Sequence, residues 1–370
     1  MTDAKTMFET DGRNISPTLR ERFATDPAYR QKIAETVRYL DDYQNGRIAP
    51  ARFAEAMTTG DLPGLLGGVI DRTLLAGYEI PETSYQDWCK INRDVRDFRD
   101  LERHYLDRKD GTLSKVKQGT EYPISGFDEG KYTYRVEKYG DTFAFTYEDF
   151  VNDDLGALTT IPKEMGEMAK WTTEQFATSL ICDENGPHAT VFNDTIGNSL
   201  TLALSADNLD TAAQTMAKVG LKNKTPIGTR PKVLLVPPTL EMTAKKIVKA
   251  LQVEVKDTKQ TSITQNLFQD LTISVGEYIP RIIPGATGEK SWFLFPDPNR
   301  IGRPVVELGF LRGHAEPQLL QQSADATLIG GGALGAFAGS FKNDGIGFRV
   351  RHIVGGAVMN ESGAVGSNGG

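Results

Sequence analysis

The stretch YGDTFAFTYEDFVNDDLGAL, residues 139–158, joins a strand pattern to the start of a long helix. In its first half, Phe143, Phe145 and Tyr147 alternate with small or polar residues, a period of two that is typical of a half-buried strand. The same alternation precedes it in KYTYRVEK, residues 131–138. This part of the chain is therefore predicted to be its most strand-like region.

A long amphipathic helix, which we call the spine helix, is predicted over residues 161–184. Thr160 can cap it, and Pro162 falls in the first turn, where proline is tolerated. Apolar residues recur at steps of three and four up to Leu180, and the pattern stops before Asn185. At about 1.5 Å per residue such a helix is roughly 36 Å long, which favours a structural role.

Asp153 and Asp154 separate the strand pattern from the helix pattern and allow two interpretations. Paired carboxylates perform acid and base catalysis when their surroundings separate their pKa values. Adjacent acids before a helix also cap its free N–H groups and favour its positive end. No histidine, lysine or cysteine of catalytic character lies near them in the sequence, so we favour a hinge and cap.

Composition places the chain among ordinary folded proteins and narrows the possible partners. Its 370 residues, 39% hydrophobic and 25% charged, are enough for two or three compact units. The net charge of −7 argues against a basic groove and tight binding to a nucleic-acid duplex. Cys89 and Cys182 are too few for a disulfide framework, so buried reduced thiols are expected. We expect neither a secretion signal nor a membrane-spanning segment.

The segments on either side of the quoted stretch differ in the spacing of their apolar residues. Residues 16–60 have helical spacing, and residues 61–100 are predicted to be an extended arm with local turns. Residues 101–146 are predicted to form a charged, projecting hairpin. Later predicted elements are the helices LDTAAQTMAKVG (209–220) and TLEMTAKKIVKAL (239–251), and the strands PKVLLVPP (231–238), LTISVGEYI (271–279), SWFLFPDP (291–298) and GFRVRHIVGGAVMN (347–360).

Two glycine-rich motifs resemble nucleotide-binding loops, and neither has the context that such loops need. GATGEKS, residues 285–291, has Glu289 where a phosphate-binding loop requires lysine, so a polar hairpin turn is predicted there. GGGALG, residues 330–335, satisfies the G-x-G-x-x-G pattern, but no helix pattern follows to hold a pyrophosphate. We interpret it as a flexible link.

No catalytic, cofactor-binding or metal-binding residue is nominated by the sequence. The four histidines, His104, His188, His314 and His352, are scattered without metal-site spacing. No G-x-S-x-G motif nominates a serine nucleophile, and the glycosylation motifs at Asn193 and Asn223 need a secretory route. The chain is therefore not predicted to be an enzyme, and no cofactor is expected. A soluble hydrolase with an unrecognised site is a distant alternative.

The order of these segments resembles the major capsid proteins of tailed bacteriophages, which have the Hong Kong 97 fold. The similarity is strongest over residues 132–182, where FTYEDFVNDDLGAL passes into IPKEMGEMAKWTTEQFATSLI. KVLLVPPTLEMTAKKI (232–247) and WFLFPDPNRIGRPVVELGFLRGHAEPQL (292–319) are similar to the family's axial domain and its return. The resemblance extends over residues 62–360 and points to the branch of Mu-like prophage heads and capsid proteins associated with a ClpP-like head protease.

The resemblance implies an α+β fold with five parts. In chain order these are an N-terminal helical segment (1–60), an N-terminal arm (61–100), an extended E-loop hairpin (101–146), a peripheral domain with the spine helix (147–200 and 312–370) and a mixed α/β axial domain (201–311). It also implies a structural protein of the virion, assembled in the host cytoplasm. Pentamers and hexamers would form an icosahedral shell around double-stranded DNA, without sequence-specific binding. The implied partners are a portal protein, a head protease and scaffold or cement proteins.

Three points are left open by the resemblance. Some family members join subunits by a Lys–Asn isopeptide bond. Here the available residues are Lys109, Lys115, Lys117 and Asn360, but no assisting glutamate is identified and we do not expect the bond. Residues 1–60 are interpreted as a retained arm, an internal scaffold or a segment removed by a maturation protease. A cargo-enclosing bacterial nanocompartment or a gene-transfer particle of the same fold is the alternative function.

Overall fold

The computed structural model describes the chain mainly from residue 62 onwards. The described residues are 38, 42, 47–48, 62–108, 115–118, 121–122, 127–146, 155–219, 230–250, 252–256, 261–265, 268–299, 304–322, 340 and 345–370. Several predictions fall wholly or almost wholly outside these ranges: the helical segment of residues 1–60, Asp153 and Asp154, the link at 330–335, Lys109 and Asn223.

The described residues form a mixture of helices and strands, as expected of the α+β class. The helices are α1 (Leu62–Glu79), α2 (Tyr85–Trp88), α3 (Leu155–Ser179), α4 (Ala206–Lys218), α5 (Glu241–Lys249), α6 (Ile279–Ile282) and α7 (Ala286–Lys290). The strands are β1 (Cys89–Val95), β2 (Leu101–Arg108), β3 (Phe127–Tyr134), β4 (Val136–Phe145), β5 (Cys182–Asp183), β6 (Gly186–Pro187), β7 (Ser199–Leu200), β8 (Val233–Val236), β9 (Gln252–Lys256), β10 (Thr261–Gln265), β11 (Thr272–Val275), β12 (Trp292–Phe295), β13 (Val306–Leu311), β14 (Gln318–Gln321), β15 (Ile346–Val358) and β16 (Val365–Ser367).

Most of the predicted elements are present. The two predicted helices of residues 209–251 correspond to α4 and α5, and the predicted strands correspond to β8, β11, β12 and β15. The hairpin predicted over residues 101–146 is confirmed in part, as the antiparallel pair β2 and β3, whereas β4 at the end of that range pairs with β15 instead. The β9–β10 hairpin was not predicted from the sequence, and its two strands pair antiparallel with each other.

The extended arm predicted over residues 61–100 is wrong in its first half, because α1 occupies that part of the chain. Ile70, Leu74 and Tyr78 follow each other at steps of four residues, and all three are buried. This helical period was hidden in the sequence by the surrounding glycines, which have low helix propensity. Only β1, in the second half of the predicted arm, is an extended strand.

The spine helix is confirmed as α3, but its bounds differ from the prediction. It begins at Leu155 rather than at residue 161 and ends at Ser179 rather than at residue 184. Thr160 is therefore not its cap, and Pro162 lies inside the helix rather than in its first turn. The helix ends early because the next residues are used by the β5–β6 hairpin, in which Cys182 pairs with Pro187.

The polar hairpin turn predicted at GATGEKS is also wrong. Residues 286–290 form the short helix α7 directly before β12. Gly285 begins this turn with a φ of 75°, a left-handed conformation that favours glycine. Gly288 faces the Ile283 carbonyl oxygen so closely that an added Cβ would lie 2.1 Å from it. The two glycines of this motif thus allow the chain to turn tightly into α7.

The chain divides into two compact units. Unit 1 draws its described residues from 1–82, 138–171 and 314–353, and unit 2 draws them from 83–137, 172–313 and 354–370. Both α3 and β15 contribute residues to each unit.

Unit 1 is built around α1. Leu74 and Leu75 of this helix are buried with Val350 of β15, and Phe143, Met165 and Leu319 pack against them. β14 pairs antiparallel with residues 348–351 of β15. On the α3 side, Gly166 and Gly77 allow the backbones of α1 and α3 to approach closely, since a Cβ at either glycine would lie 2.0 Å from a carbonyl oxygen of the other helix.

Unit 2 contains a five-stranded mixed sheet with the strand order β11-β8-β12-β16-β7. Helices α4 and α5 cover it, with Leu209, Met216 and Val248 among the buried core residues. In the same unit, β1 runs parallel to β13, and β13 runs antiparallel to residues 354–358 of β15.

The axial domain predicted over 201–311 does not match this sheet. Two strands of the sheet, β7 and β16, lie outside that range. β13 lies inside the range but pairs with β1 and β15 instead. The C-terminal segment is held against the region before β7 by Asn198. The side-chain nitrogen of Asn198 donates to the carbonyl oxygens of Val191, Glu361 and Ala364 at 2.8–3.0 Å. A contact between residues so far apart in sequence leaves no local pattern.

Candidate assembly site

The β2–β3 hairpin has eight residue pairs in register, from Leu101–Tyr134 at its base to Arg108–Phe127. No other strand in the described part of the chain pairs with it. Two-stranded ribbons are at best marginally stable in water and need to pack on something else. The hairpin is therefore a candidate surface for contact with another chain.

The two faces of the hairpin differ in chemistry. On one face, the half-buried rings of Tyr105 and Tyr132 stack with their centroids 5.1 Å apart. Gly130 lies against Tyr105, and a Cβ there would come within 2.1 Å of the ring. On the other face, Lys131 Nζ donates to the exposed Glu102 carboxylate at 2.7 Å, and this hydrogen bond lowers the pKa of Glu102. An aromatic face thus lies opposite a charged face.

The base of the hairpin is held by one buried carboxylate, Glu307 of β13, whose residue is 4% exposed. Its Oε1 accepts hydrogen bonds from Arg103 Nη2 and Nε at 2.8 and 3.1 Å and from the Tyr134 hydroxyl at 2.8 Å. Asn92 Nδ2 donates to the same oxygen at 3.3 Å and to the Tyr134 oxygen at 3.0 Å. Because Arg103 and Tyr134 belong to the two hairpin strands, Glu307 binds both strands at once.

Tyr134 is fixed in this cluster by burial as well as by hydrogen bonds. Burial raises the pKa of its phenol, so the hydroxyl remains a donor to Glu307. Gly309 provides the space for the ring, since a Cβ there would lie 2.5 Å from Tyr134 Cε2. The orientation of the hairpin base is therefore determined by packing and by a charged hydrogen-bond acceptor together.

Glu307→Gln is expected to weaken the hairpin base. The substitution keeps the shape but removes the charge that Arg103 and Tyr134 bind, and Arg103 is partly exposed, so we expect a loss of about 1–2 kcal/mol in the free energy of unfolding. Hydrogen exchange should show faster exchange in β2 and β3. Glu102→Gln on the exposed face is the matched control and should change little. Equal effects of the two substitutions would contradict the role assigned to Glu307.

A second buried carboxylate, Glu174 of α3, holds the segment before β1. The Ser84 hydroxyl donates to Oε1, and the Tyr85 backbone N–H donates to Oε2 at 3.1 Å. The Trp88 indole N–H donates in turn to the Ser84 oxygen at 3.2 Å. Burial raises the pKa of Glu174 despite these hydrogen bonds. The residues that lead into β1 are thus tied to the second half of α3.

In unit 1, a buried lysine and a buried histidine meet at one aromatic ring. Lys170 Nζ of α3 lies 4.7 Å from the centroid of the Tyr78 ring of α1. The His352 ring of β15 lies 5.6 Å from the same ring, between centroids. Burial, followed by the positive charge of Lys170, lowers the pKa of His352 from 6.5 to about 4. His352 is therefore neutral in the folded protein at pH 7.

Acid is expected to destabilise unit 1 through His352. Its folded pKa lies below the unfolded value, so the unfolded chain binds more protons between pH 6.5 and about 4, and stability is lost as the pH falls through that range. The loss from this group approaches about 3 kcal/mol. His352→Gln should reduce this pH dependence in denaturation measurements. Parallel wild-type and His352→Gln stability curves would contradict this assignment.

The structure does not bring the other predicted residues into one site. His104 lies in β2, His188 contacts Thr190, and His352 lies in β15. Within the described ranges, no three His, Cys, Asp or Glu side chains are grouped to hold a metal ion. None of the described helices combines the length and hydrophobicity needed to cross a bilayer. The expected lack of catalytic and cofactor residues stays a prediction.

Asn360, the residue considered for a Lys–Asn bond, is 1% exposed. Its side-chain oxygen accepts a hydrogen bond from the Ser362 backbone N–H at 3.2 Å, which caps a 3₁₀ turn. Lys115 and Lys117 are exposed, and Lys109 lies outside the described residues. A lysine from another chain would reach Asn360 only after this turn opened. That no such bond forms stays a prediction.

Sequence reasoning missed Glu307, Glu174 and Lys170. Each is a charged residue at an inward position of an apolar strand or helix, as in VVELGFL, residues 305–311. A single charged residue within an apolar run was the only sign in the sequence that these positions are special. Its meaning depends on partners that are 204 residues away for Glu307 and Arg103, and 90 residues away for Glu174 and Ser84.

Comparisons with known proteins bear on this arrangement. A sequence profile of the family described as phage capsid protein matches residues 130–367, well over half of the chain. The capsid of cyanophage P-SCSP1u matches the structure with a TM-score of 0.50 at 13% sequence identity, over 77% of this chain and 88% of that one. This likeness shows a shared fold.

Two further solved structures are less similar. A chain from Mycobacterium phage Adephagia has a TM-score of 0.46 and 11% identity, over 80% of this chain and 89% of that one. A virus-like particle from Pyrococcus furiosus has a TM-score of 0.43 and 12% identity, over 81% and 97%. No curated protein matched the sequence.

Proposed function

The chain belongs to the phage capsid protein family, and we propose that its copies associate through pentamers and hexamers into a closed icosahedral shell. The function of this family is structural, so the protein is a capsid subunit and its place is the virion. The observation that carries the proposal is the family match over residues 130–367, which includes all of α3 and every strand from β4 to β16. The match favours a phage shell over a nanocompartment and over a hydrolase.

The geometry of the hairpin supports assembly. The ribbon by itself is only marginally stable, yet its base is fixed by the hydrogen bonds of Arg103 and Tyr134 to Glu307. Its distal part is therefore presented in a defined direction relative to β13. The Tyr105 and Tyr132 face offers aromatic surface, which is enriched in protein interfaces. A neighbouring copy that covered this face would supply the packing that the ribbon lacks in its own chain.

The shell would enclose double-stranded DNA without sequence-specific binding. The net charge of −7 supports this, because an acidic lining gains little by binding phosphates. From the family we further propose assembly in the host cytoplasm together with a portal protein, a head protease and scaffold or cement proteins. DNA recovered from nuclease-treated particles should represent the whole genome evenly, and enrichment of one short sequence would contradict the proposed lack of specificity.

Sedimentation velocity and negative-stain electron microscopy of the purified chain test the assembly proposal. The chain should be studied alone and after coexpression with neighbouring genes, which supply any scaffold. We expect closed shells, or rings of five and six subunits. A chain that stays monomeric under both conditions at high concentration would contradict the proposal.

A further inference from the structure

One face of β15 in unit 1 carries arginines between buried residues. Phe348, Val350 and His352 are buried, whereas Arg349 is exposed and Arg351 is half-buried. Successive side chains of a strand point to opposite faces, so the two arginines share the face that is turned away from the Leu74 and Leu75 core. This face of the sheet is therefore cationic.

A cavity of about 420 Å³ opens on this face. It is lined by residues 138–142 of β4 and residues 349–351 of β15, all within unit 1. Gly140 brings the two strands together, since a Cβ there would lie 2.4 Å from the Val350 carbonyl oxygen. The cavity thus depends on a close approach of two backbones that only glycine permits.

The cavity has an excess of positive charge. Lys138, Arg349 and Arg351 line it together with one acid, Asp141, whose carboxylate accepts a hydrogen bond from the Thr142 backbone N–H at 2.8 Å. Arg351 Nη2 donates to the neutral amide oxygen of Gln318 at 2.7 Å, which orients the guanidinium without neutralising it. Arg351 Nε is buried and has no hydrogen-bond partner among the described residues. Three cationic side chains therefore line the cavity, and one of them has a buried donor without a partner among the described residues.

We propose that this cavity receives carboxylate side chains from a neighbouring copy of the chain. Arginine binds carboxylates through paired hydrogen bonds, and a buried donor without a partner favours a ligand that supplies an acceptor. A chain with a net charge of −7 presents many carboxylates to its neighbours, so a cationic cavity specifies where a second copy docks. The proposal rests on the proposed shell function and assigns one contact within it.

Nucleic-acid phosphate is the competing ligand, and the geometry disfavours it. Affinity for nucleic acid comes from many lysines and arginines spread along the phosphate backbone. Here three cationic side chains share one cavity with Asp141. Such an arrangement selects a small group of acceptors over a long polyanion.

The test is a charge reversal at the two exposed cations, Lys138→Glu with Arg349→Glu, in the full chain. The guanidinium of Arg349 forms no ion pair with any residue that the structure describes, so its replacement should leave the fold intact. The matched control is Lys246→Glu with Lys249→Glu, which reverses two exposed charges on α5. Lys138→Arg with Arg349→Lys preserves the charge.

We expect the reversal to lower the fraction of protein in shells by more than about tenfold, because like charges would then meet at the contact. The control and the charge-preserving variant should assemble as the wild type does. The Arg349→Glu single variant, with an unchanged melting temperature, provides the same test if the double reversal is poorly folded. Binding of a short labelled DNA duplex by unassembled protein should be the same for all variants.

Three outcomes would overturn the proposal. Normal assembly by the reversal variants, or an equal loss in the α5 control, would show that this cavity makes no specific contact, while the shell function would stand. Loss of DNA binding with normal assembly would assign the cavity to phosphate instead. Failure of the wild type itself to assemble would count against the proposed function, so the two failures are distinguishable.

Discussion

Gly166→Val is expected to lower the free energy of unfolding by about 3 kcal/mol or more and to prevent shell formation. An added Cβ would lie 2.0 Å from the Leu74 carbonyl oxygen and 2.7 Å from the Tyr78 backbone nitrogen. Both atoms belong to the backbone of α1 and cannot rotate away as a side chain could. The helices must separate, and the buried Leu74 and Tyr78 then lose contacts on α1.

Chemical denaturation of the purified chain measures this loss. Gln175→Val, at an exposed position of the same helix, is the control and should cost only the difference in helix propensity, about 0.5 kcal/mol. Gly77→Val addresses the same crossing from α1, because its Cβ would lie 2.0 Å from the Lys163 carbonyl oxygen. The two glycine substitutions should be less than additive. A Gly166→Val variant as stable as Gln175→Val would contradict the close helix crossing.

Deleting residues 107–128 is expected to leave both units folded and to abolish closed shells. The strand register shows that the deletion removes the two distal pairs, Asp107–Asp128 and Arg108–Phe127, and keeps the six pairs nearer the base. Leu106 and Glu129 are themselves partners, so an Asn-Gly turn inserted between them closes a short hairpin. The Glu307 cluster is retained.

The deletion separates folding from assembly. We expect its melting temperature to stay close to that of the wild type, since the six pairs nearest the base and the hydrogen bonds to Glu307 are retained. Electron microscopy should show no closed particles. A second variant replaces residues 107–128 by a glycine–serine linker of the same length, which restores the length of the hairpin but not its side chains. We expect this variant also to form no closed shells. Particles of normal size from the shortened chain would rule out the hairpin as an assembly element.

Local patterns in the sequence predicted most of the individual elements. The alternation around Tyr132 and Phe143 gave the strands, and the spacing of apolar residues between Ile161 and Leu180 gave α3. These patterns are set by which face of an element is buried, and that information is written in consecutive residues. The fold class followed from the order of the elements and from the family resemblance.

The helix α1 was missed for a physical reason. In LPGLLGGVIDRTLLAGYE the glycines lower helix propensity, and a glycine that interrupts a helix looks the same in sequence as one that lets two helices touch. Gly77 is of the second kind, and this becomes evident only from the position of Lys163 in α3. Tertiary packing here outweighs the local preference.

The candidate assembly site was only partly predictable. The hairpin itself could be read from the sequence, whereas the carboxylate that fixes its base could not, because Glu307 meets Arg103 across 204 residues. The same limit applies to β16, whose three residues complete a sheet with β12 and β7. The predicted division into arm, E-loop, peripheral and axial domains remains a proposal, with the sheet boundaries revised as described.

Cryo-electron microscopy of particles made by the full chain is the most direct test of the capsid assignment. We predict an icosahedral reconstruction in which each subunit has this fold, rings of five and six surround the symmetry axes, and the β2–β3 hairpin lies against a neighbouring copy. A reconstruction in which the hairpin contacts only its own chain would contradict the assembly role given to it. A chain that forms no symmetric particle with its full set of partner genes would contradict the shell itself.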